Sequence, residues 1–94
     1  MKKRICAGLT ILLVTIAIAF ASIYEEQQQA KSAGYDYGYA NPKVSVSIIS
    51  REGNKRGYSA KNGLNVYFVD GAKIGQNDKK AGNPYMNPFN TASN

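Results

Sequence analysis

Twenty consecutive uncharged residues, Ile5 to Tyr24, follow a basic cap of Lys2, Lys3 and Arg4, and this arrangement limits what the chain can become. An apolar run of that length crosses a hydrocarbon core of about 30 Å or is spent on export. Near its end stands Ala19-Phe20-Ala21 before Ser22, the small-x-small pattern of a signal-peptidase site. The expectation is a signal peptide over 1–21, cut between Ala21 and Ser22, that meets the membrane only before cleavage. The competing reading is an uncleaved anchor. A third, a pilin-type leader cut after Gly8, lacks the Glu expected five residues on, where Leu13 stands. With the basic cap held inside, the remainder lies outside the cytoplasm in each case. The expected location is secreted and extracellular, with the membrane-anchored form as the alternative.

Taking 21 from 94 residues leaves 73, enough for one small domain. Their charge is mildly basic, since 12 Lys and Arg less the three at the N-terminus leave nine against six acids. There is no His and no Trp, and the one Cys, Cys6, lies in the apolar run. His-based acid-base catalysis, Cys/His zinc sites and an intramolecular disulfide are thereby excluded. The acids show no paired-carboxylate spacing, and no glycine cluster opens a helix that would cradle phosphate. No enzyme, no cofactor and no metal are expected. Seven Tyr among the basic residues would suit nucleic acid, but export argues against such a partner.

The reading of secondary structure is all-β: a small antiparallel β-sandwich or meander behind an N-terminal signal helix. Residues 22–33, with Glu25-Glu26-Gln27-Gln28-Gln29, read as a polar leader, 34–89 as the β domain, and 90–94 as a disordered tail. Val44-Ser45-Val46-Ser47-Ile48 alternates with the period of a half-buried strand. Arg56 to Lys61 reads as a second strand, and Asn62-Gly63 predicts a tight hairpin into Leu64-Asn65-Val66-Tyr67-Phe68-Val69. Asp70-Gly71 predicts another turn. The implied register sets Tyr58 against Tyr67 and leaves apolar residues on both sheet faces, so a second sheet, a partner or a homodimer would have to cover one.

Several short motifs in this stretch resemble the lactococcin 972 family of secreted bacteriocins. They are Tyr35-Asp36-Tyr37-Gly38, Val44-Ser45-Val46-Ser47, Gly57-Tyr58-Ser59-Ala60-Lys61-Asn62-Gly63, Gly71-Ala72-Lys73 and Ala81-Gly82-Asn83-Pro84-Tyr85. Arg56 stands where that family has His, and its Trp residues are absent. The resemblance implies a disulfide-free β-sandwich that inhibits related Gram-positive bacteria by sequestering the cell-wall precursor lipid II. On that reading Arg56, Tyr58, Lys61 and Tyr67 form the target-binding surface, cations pairing with pyrophosphate and aromatics supplying area. The alternative function is a membrane-anchored structural or pilin-like surface protein.

Overall fold

The computed structural model describes residues 22–89, and among them there are three helices and no strand. Helix α1 spans 22–40, α2 spans Val46–Lys55 and α3 spans Asn65–Lys80. The expected β-sandwich is therefore corrected to an all-α fold. The expected signal peptide over 1–21, with Ala19 and Ala21, and the expected tail over 90–94 lie outside the described residues; Ser22, the first of those described, is helical.

Each expected strand has a specific helical fate. Ser45, within the alternating run, is the N-cap of α2: its backbone is extended, and its side chain accepts a hydrogen bond from the Ile48 amide at 3.4 Å. Ser is favoured there because its oxygen satisfies an amide that has no partner inside the helix. Val46 and Ile48 are exposed on the first turn, and Ile49, outside the alternation, is the buried residue. The stretch 64–69 opens α3, and Asp70-Gly71 lies inside that helix. The polar residues 22–33 and the Tyr-rich residues after them belong to one continuous helix.

Glycine spacing explains why α1 and α3 pair. Gly34 and Gly38 lie one turn apart on α1, and Gly71 and Gly75 do so on α3. A Cβ on Gly71 would run into the Lys31 carbonyl oxygen, one on Gly75 into that of Tyr35, and one on Gly38 into that of Ala72. The two backbones touch directly, as small residues spaced by four permit. Because Lys31 meets Gly71 and Tyr35 meets Gly75, positions increase together and the helices run parallel. The start of α3 therefore lies at the same end of the domain as the start of α1.

Helix α2 makes the return between them. Its Ile49 joins Phe68 and Ala72 in the buried core, with Tyr37, Val44, Tyr58 and Val69 packed around it. Gly53 faces the Phe68 ring and the Asn65 amide. Both α2 and α3 end in the same way. Gly57 and Gly82 take positive φ of 94° and 78°, and the residue after each donates back to the helix, Tyr58 to the Gly53 carbonyl at 2.8 Å and Asn83 to that of Asp78 at 2.9 Å. This is the Schellman closure that glycine favours.

Asn65 ties the α2–α3 connection together. It accepts from the Ser50 hydroxyl at 2.7 Å, and its amide donates to the carbonyls of Ser50 and Tyr58, both at 2.9 Å. Asn65→Ala strips these partly buried groups of their partners and is expected to cost about 1–3 kcal/mol. A lowered urea midpoint with unchanged slope checks this. Gln76 acts likewise at the far end, its amide donating to the Asn41 and Val44 carbonyls at 3.1 and 2.9 Å.

Candidate docking groove

Beyond Gly82 the chain reverses and runs back along α1 as an extended segment. Pro84 and Pro88 lack amide protons and disfavour a further helix. The segment is stitched down by side chains: the Tyr39 hydroxyl donates to the Asn83 carbonyl at 2.7 Å, and Asn87 donates to the Ser32 carbonyl at 3.0 Å. Tyr85 donates its hydroxyl to Asp36. The rings of Tyr35, Tyr39 and Tyr85 form a cluster with centroids 5.6 to 6.0 Å apart.

Between this segment and α3 lies an open groove of about 530 Å³, lined by Ile74, Asp78, Asn83, Pro84, Met86 and Pro88. Its lining is mostly apolar, and Met86 is 71% exposed. At its base the buried Tyr35 donates its hydroxyl to the Asp78 carboxylate at 2.6 Å and accepts from the Met86 amide at 3.3 Å. Asp78 is thus committed to holding the floor. No Ser, Thr or Cys lines the groove, so it offers no nucleophile for the one carboxylate to activate. Among the described residues no group of three potential metal ligands occurs. The geometry suits holding an apolar group.

Burial, and then the hydrogen bond to Asp78, push the Tyr35 phenol above its ordinary pKa of 10.0. Tyr85 is raised too, first by its bond to Asp36 and then by burial. A raised folded-state value means that the native state keeps the proton more tightly than the unfolded chain. The stability this contributes is complete below about pH 10 and is lost as the pH rises through the folded value. Melting temperature should fall with alkalinity beyond that point. Tyr35→Phe should reduce the slope, and Tyr85→Phe should reduce it separately.

The four residues expected to bind a target are placed differently from one another. Arg56 donates to Glu52 at 2.8 Å, which holds the Glu52 carboxyl below its ordinary value, and its guanidinium lies over the rings of Tyr37 and Phe68 at 5.4 and 5.6 Å. Tyr58 stacks on Phe68 at 5.6 Å. Arg56 and Tyr58 therefore both lie against Phe68, as cover over the core. Lys61 is exposed on the α2–α3 connection, while Tyr67 is on α3 with the Lys31 ammonium 5.5 Å from its ring. None of the four lines the groove. The sequence signal for the groove was the Pro-flanked Tyr85-Met86-Asn87 segment.

Comparison with protein-family models, curated proteins and solved structures finds no match for this chain. The motifs resembling the lactococcin 972 family sit here on helices and helix-ending turns. Gly71-Ala72-Lys73 is mid-α3, and Ala81-Gly82-Asn83 is the closure of that helix.

Proposed function

We propose that this chain is a non-catalytic binding protein of the cell envelope, tethered by its apolar run and presenting the helical domain outside the cytoplasm. The observation that carries the reading is that the apolar run ends inside helix α1. Ser22, Ile23 and Tyr24, the last three residues of the apolar run, already belong to helix α1. Ile23 and Tyr24 are exposed there at 51% and 61%. In a tethered chain they occupy the membrane interface, where Tyr is favoured, and Glu25 begins the polar surface. A peptidase needs extended backbone around the bond it cuts, and Ser22, on one side of that bond, is helical. Among the described residues no helix is long and apolar enough to cross a membrane, so the anchor in this proposal is the run before them.

A second reading, release as a lipid II-binding inhibitor of Gram-positive growth, is favoured by the Ala19-Phe20-Ala21 pattern and by the exposed Lys61. The mass of the product made by cells separates the two. An intact chain in the membrane fraction is the result expected of the tethered protein. A 73-residue product starting at Ser22, found in the medium and slowing growth unless excess lipid II is present, would overturn it.

A further inference from the structure

We infer that the domain leans onto the anionic outer surface of its own membrane through the α2–α3 connection, an inference that rests on the tethered reading above. The parallel pairing of α1 and α3 carries it, because it brings residues 56–64 to the end of the domain at which the apolar run arrives. Lys55, the last residue of α2, and Lys61, on that connection, are exposed, and Val66, in the first turn of α3, is 61% exposed. Together with Ile23 and Tyr24 they give this end both exposed apolar side chains and long cationic ones. That combination suits a headgroup layer, where apolar groups enter the interface and lysines meet phosphates.

The charges at this end are unevenly shared between the elements. Arg56 and Glu52 cancel as an ion pair at 2.8 Å. Arg51, Lys55 and Lys61 remain on α2 and the connection, whereas α1 brings Glu25 and Glu26 with one cation, Lys31, whose ammonium lies over the Tyr67 ring at 5.5 Å. Attraction to an anionic bilayer is therefore stronger on the α2–α3 side than on the α1 side, which tilts the domain toward the former. Each lysine near the surface is expected to shift the docked-to-free ratio about five-fold, and the pair about 25-fold.

The test is amide hydrogen exchange of the full chain reconstituted in vesicles of phosphatidylcholine alone or mixed with phosphatidylglycerol. The expected result is slowed exchange over 57–66 in the anionic vesicles only, with the turn at 81–83, at the other end of α3, unchanged. Lys55→Gln/Lys61→Gln, at two exposed positions that leave the core intact, should abolish the difference. A chain retained in the bilayer whose 57–66 amides exchange alike in both lipids, or whose protection survives the double substitution, would overturn the inference and leave the tether standing. A chain washed from the vesicles by alkaline carbonate would overturn both.

Discussion

Gly71→Leu is expected to leave the domain unfolded at room temperature. The position is buried mid-helix against the backbone of α1, where the Lys31 carbonyl group and Cα already fill the space that a Cβ would need. Flexible side chains yield to such an intrusion, but two paired helices yield only by separating. Helix propensity works in the opposite direction, since replacing a mid-helix Gly by Ala returns about 0.5–1 kcal/mol. Overpacking costs typically about 1–3 kcal/mol and more where backbone must move, so even Gly71→Ala should be destabilising overall. For leucine the separation of α1 from α3 removes the core itself, and a domain this small has only about 5 kcal/mol to lose. Gly38→Leu should behave in the same way. Gly57→Ala and Gly82→Ala are the controls: nothing lies within 4 Å of their Cβ positions, and their cost is the strain of positive φ, about 1–2 kcal/mol. Urea titration followed by circular dichroism ranks the variants.

Phe68→Ala should be the most damaging truncation in the domain, at about 3–5 kcal/mol. Phe68 is fully buried and touches all the parts that must be held together: Ile49 from α2, Tyr37 from α1, and Tyr58 from the connection. Its removal also leaves the Arg56 guanidinium without one of the two rings it covers. Phe68→Leu, which keeps much of the volume, should cost about 1.5 kcal/mol or less. A loss at Ala no greater than that at Leu would mean that the core does not centre on this ring.

How the sequence misled is a matter of particular residues. Alternation over Val44 to Ile48 has too few positions to separate a strand from a capped helix start, and Ser45 satisfies both patterns. Helix α3 contains Val66, Tyr67, Val69 and Ile74, residues of modest helix propensity, together with two glycines. Its N-cap, Leu64, makes no side-chain hydrogen bond. Little in its local sequence asks for a helix, so the contact with α1 has to supply the stability. That contact was legible in one form only: Ala30, Gly34 and Gly38 at intervals of four, matched by Gly71 and Gly75. Read singly as turn residues, these glycines imply hairpins; read by spacing, they imply two touching helices. Gly63 illustrates the limit of a dipeptide, since it does take positive φ beside Asn62, yet the turn joins helices. Asn62 caps that turn through bonds with Ser59, Leu64 and Gly57.

The candidate site was less legible than the fold. Of the four residues expected to bind a target, Tyr58 and Arg56 find partners inside the domain, in Phe68 and Glu52. The groove depends on Ile74 and Asp78, one turn apart on α3, meeting Pro84, Met86 and Pro88 after a reversal at Gly82. No local pattern encodes that meeting, because it requires the extended segment to return along α1.

The pairing of α1 with α3 is tested most directly by nuclear magnetic resonance on the folded chain. Helical chemical shifts over 22–40, 46–55 and 65–80, with contacts from the Gly38 α-protons to Ala72 and from those of Gly71 to Lys31, are the predicted result. Extended shifts over 44–48 and 64–69, with cross-strand contacts between Tyr58 and Tyr67 across an Asn62-Gly63 hairpin, would contradict it.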